Sequence, residues 1–165
     1  MSVTDGYNPQ TLLTSDEPIM SPSWSPNGAE LAYVSFENGQ AEIFTHNIKT
    51  GLRKSRSKYQ GLNGSPAWSP DGKKLIYQSN RNGNWDIFLY DFMLDTTIQL
   101  TYDSTNEQNP QWHTVGNQLV YDSDSDSDHF LYILNIETGT TTPLFDRKII
   151  CKQASIAPDG RMVYF

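Results

Sequence analysis

The sequence predicts an all-β protein assembled from repeated four-stranded units, and two observations carry that prediction. First, short runs rich in β-branched and aromatic residues alternate with turn residues along the whole chain. Second, tryptophan, glycine, leucine and tyrosine recur every 44 residues in one register, without an insertion: Trp24, Trp68 and Trp112; Gly28, Gly72, Gly116 and Gly160; Leu31, Leu75 and Leu119; Tyr33, Tyr77 and Tyr121. A fixed period of this length is the signature of a repeat protein.

Each repeat is expected to contain four strands. The innermost strand ends at the repeated tryptophan and is followed by a turn such as "SPNG" or "SPDG", in which proline fixes φ and glycine accepts a positive φ. The second strand, "ELAYVSF" in the first repeat, ends at the hairpin signal "ENGQ", which "NRNGNW" and "SDSDSD" replace in the next two. The third strands are "AEIFTHNI", "WDIFLYDF" and "HFLYILNI"; the fourth are "LRKSRS", "TIQLTY" and "TTPLFD".

The second and third strands are apolar on both faces, as "LAYV", "IFLY" and "FLYIL" illustrate. A strand with two apolar faces has to be covered on both sides. Four-stranded units of about this length, each stacked between two copies of itself, are the blades of a β-propeller. The repeated tryptophans are then expected to fill the space between neighbouring blades.

The repeat register also divides the chain into blades. It predicts the outer strands of a preceding blade at 1–19, complete blades at 20–63, 64–107 and 108–151, and the start of a further blade at 152–165. A closed four-bladed ring is the alternative, but repeat positions equivalent to 34–44 are present at neither end, so its last strand would have no neighbour. We therefore expect part of a larger propeller, an open arc that self-associates through its exposed edges.

Composition narrows the class of partner. A formal net charge of −7 disfavours nucleic acid and anionic membranes, which require a basic surface. No apolar run approaches the length of a membrane span, and "MSVTDGYNPQ" lacks the basic and apolar regions of a signal peptide. The single Cys151 excludes an intramolecular disulfide. A protein or a small cation is the expected partner.

Several longer phrases resemble the TolB family in the order in which that family has them: "DGYNPQ", "MSPSWSPNGAELAYVSFENGQAEI", "GLNGSPAWSPDGKKL" and "SIAPDGRMVY". The third repeat departs from the pattern, since "HTVG" replaces Ser-Pro-Asp-Gly. The resemblance implies part of a six-bladed periplasmic propeller without a cofactor. It also implies a non-enzymatic adaptor of the Tol-Pal system, which binds the peptidoglycan-associated lipoprotein Pal, works with other Tol proteins and supports outer-membrane integrity and cell division.

The connections that lead into each innermost strand are expected to surround the mouth of the central channel. By resemblance, the Pal-facing connections correspond to "LNGS" and "EQNP". This places the partner-binding residues at Leu62, Asn63, Ser65, Gln108 and Asn109, with Asn63 and Gln108 as neighbours. Ordinary turn chemistry is the alternative role for Asn63.

No catalytic residue is predicted. The three histidines, His46, His113 and His129, occupy different repeat positions, and the chain has no G-x-S-x-G, no H-E-x-x-H and no cysteine pair. The enzyme alternative is a section of the propeller that gates a prolyl-oligopeptidase-like serine peptidase, whose catalytic domain would lie outside this chain.

The most metal-like motif is "DSDSDSD", which places four carboxylates at alternate positions: Asp122, Asp124, Asp126 and Asp128. An EF-hand loop starting at Asp122 would need glycine and glutamate where Ser127 and Ile133 stand. We therefore expect a solvated, charge-rich turn between the second and third strands and no metal site. Weak calcium binding is the alternative.

Overall fold

A computed structural model describes residues 11–125, 128–145, 153–157, 160 and 163–164 of the chain, and this part is all β. Three four-stranded antiparallel sheets and one two-stranded sheet follow one another. Their strands are β1 (Ile19–Trp24), β2 (Glu30–Ser35), β3 (Glu42–Asn47) and β4 (Arg53–Ser55); β5 (Asn63–Trp68), β6 (Lys74–Ser79), β7 (Asp86–Asp91) and β8 (Thr96–Gln99); β9 (Glu107–Trp112), β10 (Gln118–Ser125), β11 (Asp128–Asn135) and β12 (Thr141–Pro143); β13 (Ser155–Ile156) and β14 (Val163–Tyr164).

The strand order within every four-stranded sheet is sequential, so each sheet is a meander that runs from an inner to an outer strand. The inner strands β1, β5, β9 and β13 contact one another in that order. This arrangement confirms the predicted fold class of propeller blades. Among the described residues, no helix is long and apolar enough to cross a membrane.

The first and last segments of the predicted division into blades are described only in part. Residues 1–10, Cys151 and most of the predicted further blade lie outside the described residues, and residues 11–18 form no strand. The sheets begin at Ile19, Asn63 and Glu107, each one residue before the predicted start of its blade.

Apolar side chains fill both junctions between the complete sheets, and the alternation along β6 shows why. Leu75 and Tyr77 point into the cluster shared with the first sheet, which also contains Ile43 and Trp68. Ile76, between them in sequence, points into the cluster shared with the third sheet. Because successive side chains of a strand face opposite ways, a blade packed on both sides has to be apolar at consecutive positions.

The repeated tryptophan joins each blade to the one before it. Trp68 and Trp112 are each 8% exposed. Their indole Nε1 atoms donate hydrogen bonds to the backbone carbonyls of Ser23 (3.1 Å) and Ala67 (3.0 Å) on the preceding inner strand. Trp24 differs from the predicted core role: it is 51% exposed, because no described sheet precedes β1.

The turn after each tryptophan is held by a short polar side chain and a left-handed glycine. In the second blade, the Asp71 carboxylate accepts hydrogen bonds from Ser69 Oγ (2.6 Å) and the Lys73 amide (3.0 Å), which together lower the pKa of Asp71. Asn27 takes the same place in the first blade. The glycine keeps a positive φ in all four turns, including the atypical third: 66° at Gly28, 69° at Gly72, 79° at Gly116 and 70° at Gly160.

Candidate protein-interaction face

We call the end of the sheets at which the inner strands β1, β5 and β9 begin the upper face. Because neighbouring strands are antiparallel, this end also carries the β2–β3 turn (36–41), the β6–β7 turn (80–85) and the connections 56–62 and 100–106. The connections are bonded to the turns. The Leu62 amide donates to Asn80 Oδ1 (2.7 Å), and the Asn106 amide donates to Asp124 Oδ1 (2.6 Å). The upper face is therefore a set of mutually braced loops.

Arg81 is the centre of this bracing in the second blade. Its guanidinium carbon lies 4.0 Å from the ring centroid of Phe88 and 4.1 Å from that of Tyr59. Its Nη2 atom donates to the Tyr77 hydroxyl (2.8 Å) and to Asn63 Oδ1 (3.4 Å). Arg81 thus ties the β6–β7 turn to the connection 56–62 and to the start of β5.

Sequence reasoning missed Arg81 because its only signal is a single cation in an ordinary turn phrase, "NRNG". The equivalent positions in the neighbouring repeats are Glu37 and Ser125, so the repeat register does not mark this position.

The predicted partner-binding residues have different environments. Leu62 is 47% exposed, whereas Asn63 is only 2% exposed. Asn63 Nδ2 donates to the Ala41 carbonyl (2.9 Å) across the junction between the first two blades. Its burial disfavours direct contact with a partner and assigns Asn63 to holding β5 in place. Ser65, Gln108 and Asn109 are half-buried.

Of these residues, Ser65 and Asn109 are brought together: Ser65 Oγ donates to Asn109 Oδ1 (3.3 Å). No hydrogen bond within the described residues joins Asn63 to Gln108, so their expected proximity stays a prediction.

The inner strands share a backbone feature that the sequence analysis did not foresee. One polar residue in β1, β5 and β9, and Gln153 just before β13, has a left-handed conformation, which is uncommon outside glycine and is often found at functional sites. The Asn109 amide is held by Gln78 Oε1 (2.7 Å), and the Gln153 amide by the Asp122 carboxylate (3.1 Å). The four φ angles are 51° at Ser21, 49° at Ser65, 51° at Asn109 and 57° at Gln153.

This feature gives the inner side of the arc a polar lining. A cavity of about 310 Å³ lies between the inner strands of the second, third and last sheets, and it is lined by Ser65, Asn109, Gln111, Gln153, Ala154 and Ser155. The recurrence of a polar residue at one repeat position was the available signal, since Ser21, Ser65, Asn109 and Gln153 are 44 residues apart.

The acidic hairpin only partly matches its expected role. Asp122 is 3% exposed and accepts a hydrogen bond from Asn109 Nδ2 (2.8 Å), so the expectation of a solvated side chain is wrong for Asp122. Asp124 accepts from both the amide and the side chain of Asn106. Asp126 and the side chain of Asp128 lie outside the described residues. Within the described part of the chain, no group of three acidic, histidine or cysteine side chains is arranged to hold a metal ion.

Comparison with known proteins gives consistent results. The TolB beta propeller domain family matches residues 1–165. A stretch of 61 residues is 59% identical to the Tol-Pal system protein TolB of Legionella pneumophila (strain Corby); it covers 37% of this chain and 15% of that protein. The crystal structure of TolB from Acinetobacter baumannii is similar over 97% of this chain and 40% of its own, at 30% identity and a TM-score of 0.86.

An acylaminoacyl peptidase is also similar in structure, with a TM-score of 0.62 over 89% of this chain and 27% of its own, but at 15% identity it shows the fold alone. The chain spans well under half the length of the TolB proteins it matches. The repeat register, the sheet topology and the match over all 165 residues agree, and the chain belongs to the TolB beta propeller domain family.

Proposed function

We propose that this chain is a section of a non-enzymatic, periplasmic binding propeller of the Tol-Pal system, and that its upper face binds a Pal-like lipoprotein domain. The observation that carries the proposal is the braced upper face, on which the connection 56–62 presents exposed Leu62 and the start of β9 presents half-buried Gln108, with both connections hydrogen-bonded to neighbouring residues. Support comes from the relatives, which are Tol-Pal system proteins by name. The whole protein would then contribute to outer-membrane integrity and cell division together with other Tol proteins.

The bracing matters for affinity. Loops that are ordered before binding lose less conformational entropy when a partner docks. Asn80, Arg81 and Asp124 each hold a connection of the upper face by a side-chain hydrogen bond or ring contact. We infer that the partner meets a preorganised surface, on which a few central side chains contribute most of the binding energy.

The two histidines whose side chains the structure describes give no support to a catalytic role. His46 is buried on β3, and His113 lies in the turn after β9. Within the described residues, neither histidine is hydrogen-bonded to a serine, a cysteine or a carboxylate, the contact by which a general base activates a nucleophile.

Replacing Leu62 and Gln108 together with alanine in the full-length protein should weaken binding of a Pal-like domain by more than about 1 kcal/mol, roughly fivefold in Kd. Both side chains are exposed enough to be removed without opening the junctions between blades. Asn63→Ala is unsuitable for this test, since loss of its bond to Ala41 would also lower stability. Isothermal titration calorimetry measures the effect.

The matched control is Leu94→Ala. Leu94 is 71% exposed and lies in the turn after β7, at the end of the sheet opposite to the upper face. The control variant should bind as the parent does. Equal affinity of the parent and the double variant would refute the placement of the binding surface.

A further inference from the structure

The two junctions between complete blades carry different side chains at the upper face. At the first junction, the Asn63 amide donates to the Ala41 carbonyl (3.2 Å), which places Asn63 beside Glu42 at the start of β3. At the second junction, the Glu107 amide donates to the Trp85 carbonyl (2.7 Å), which places Glu107 beside Asp86 at the start of β7. The inner-strand position of the junction therefore holds an amide, Asn63, in the first junction and a carboxyl, Glu107, in the second.

The corresponding side chains of the first blade and its junction, Glu42 and Asn63, have hydrogen-bond partners. The Glu42 carboxylate accepts hydrogen bonds from Asn38 Nδ2 (3.2 Å), Gln40 Nε2 (3.4 Å) and Ser55 Oγ (2.8 Å). The Asn63 side chain donates to a carbonyl through Nδ2 and faces Arg81 Nη2 through Oδ1. A buried carboxylate such as that of Glu42 is thus stable where hydrogen-bond donors surround it.

In the second junction, a buried carboxyl oxygen lacks a hydrogen-bond partner among the described residues. Glu107 is fully buried; its Oε1 atom accepts from Thr105 Oγ1 and Ser123 Oγ, but its Oε2 atom has no partner among the described residues. Asp86 shares a strand face with Phe88 and therefore lies on the first-blade side of its sheet; it is 1% exposed, and its Oδ1 atom also has no partner within the described part of the chain. A buried carboxylate with an unpaired oxygen is strongly disfavoured unless a cation or a proton neutralises it.

Among the described residues, the charged groups that act on Glu107 are acidic, and Arg81, the cation of the β6–β7 turn, lies on the first-blade face of the second sheet against Tyr77 and Phe88. Asp86 on β7, Asp103 in the connection 100–106 and the Tyr121 hydroxyl on β10 are the titratable groups coupled to it. Strands β5 and β13 carry no charged residue, and Lys74 of β6 lies at the opposite end of its strand from Ser79, which pairs with Asp86. Asp122 and Asp124 of β10 are bonded to Asn109 and Asn106.

A proton is the cation that fits this site. No three acidic, histidine or cysteine side chains of the described residues are arranged to hold a metal ion. Burial, reinforced by Asp103 and Asp86, raises the pKa of Glu107 to about 7. Burial also raises the pKa of Asp86.

We propose that the buried Glu107 carboxyl binds a proton that closes the junction between the second and third blades at the upper face, and that loss of the proton loosens residues 100–109. The connection that leads into Glu107 is attached to the β6–β7 turn: Asn84 Nδ2 donates to the carbonyls of Asp103 and Thr105, both at 2.8 Å, and the Trp85 amide donates to Asn106 Oδ1 (3.0 Å). Gln108 and Asn109 follow Glu107 directly.

The direction of the pH effect follows from the difference in the pKa of Glu107 between the closed and the opened junction. The closed junction binds the proton with a pKa near 7, whereas an opened junction exposes Glu107 and returns it to its usual value of 4.5. Between these values the closed state holds more protons, so raising the pH through this window favours opening; above about pH 7 both states are ionised and the effect levels off. Any effect of this opening on the binding of a Pal-like partner rests on the proposed function, but the proton site itself does not.

The test is a pH titration of the full-length protein, with ¹³C-labelled carboxyl groups followed by NMR and amide hydrogen exchange measured in parallel. We expect one glutamate carboxyl to titrate near pH 7 and to be absent from Glu107→Gln. Exchange protection of residues 100–109, corrected for the intrinsic rate, should fall at least about tenfold from pH 5 to pH 7 in the parent and stay level in Glu107→Gln.

Glu42→Gln is the matched control at the first junction and should keep both pH effects. If Glu107→Gln fails to fold, Asp86→Asn serves as the second variant, and it should lower the pH at which Glu107 titrates. The proposal is overturned if no glutamate carboxyl titrates between pH 6 and 8, or if the pH-dependent protection persists in a folded Glu107→Gln protein. Neither measurement involves a binding partner, so failure here is distinct from failure of the proposed function.

Discussion

Replacing Trp68 with alanine should lower the free energy of unfolding of the 165-residue chain by about 3 to 5 kcal/mol. The indole is 8% exposed, donates to the Ser23 carbonyl and stacks on Phe92 with ring centroids 4.9 Å apart and planes 5° apart. Its removal would leave a cavity between the first two blades and a carbonyl without its donor. Chemical denaturation measures the effect, and an unchanged midpoint would contradict the assignment of Trp68 to the junction.

Two variants serve as controls for Trp68→Ala. Trp24 has the same repeat position and residue type but is 51% exposed, so Trp24→Ala should cost less than half as much in this chain. Asp71→Ala removes two hydrogen bonds of an exposed turn and should cost about 1 kcal/mol. If Trp24→Ala and Trp68→Ala lowered the free energy of unfolding equally, the residue type rather than packing between blades would determine the effect.

The second large effect is expected for Arg81→Ala, at about 2 to 3 kcal/mol. This substitution removes contacts with the rings of Phe88 and Tyr59 and the hydrogen bond to the buried Tyr77 hydroxyl. The loss should be concentrated at the upper face, because Arg81 joins the β6–β7 turn to the connection 56–62. Denaturation gives the total, and hydrogen exchange of residues 56–63 gives the location.

Arg81→Lys is the informative control. A lysine keeps the charge but lacks the planar group that can lie between two rings while donating to two acceptors. Arg81→Lys should therefore recover little of the lost stability. A lysine variant as stable as the parent would contradict the role assigned to the guanidinium.

The architecture could be predicted because its causes are periodic. The 44-residue register of tryptophan and glycine, and the consecutive apolar residues of strands such as β6, result from stacking identical units, so each repeat reports on every other. The turn at Asp71 and Gly72 followed from residue chemistry alone. These features are local or repeated, which is why one sequence was enough.

The upper face was less predictable because its contacts differ from blade to blade. Asn63 and Glu107 occupy one repeat position, yet the amide is satisfied and the carboxyl is not. Arg81 acts through Tyr59, a residue of the preceding connection that no spacing rule links to it. The Asp122 carboxylate is held by Asn109 on the neighbouring strand of the same sheet and by Gln153, which precedes the last sheet. Such contacts depend on long-range side-chain geometry, which a repeat pattern does not encode.

The most direct test of the central claim is calorimetric titration of the full-length protein with the soluble domain of a Pal-like lipoprotein, together with an assay for peptide hydrolysis on the same preparation. We predict saturable binding that the Leu62→Ala and Gln108→Ala double variant weakens, and no cleavage of any peptide offered. Absence of binding to the parent, or turnover of peptide substrates by it, would contradict the account of this chain as part of a non-enzymatic protein-binding propeller.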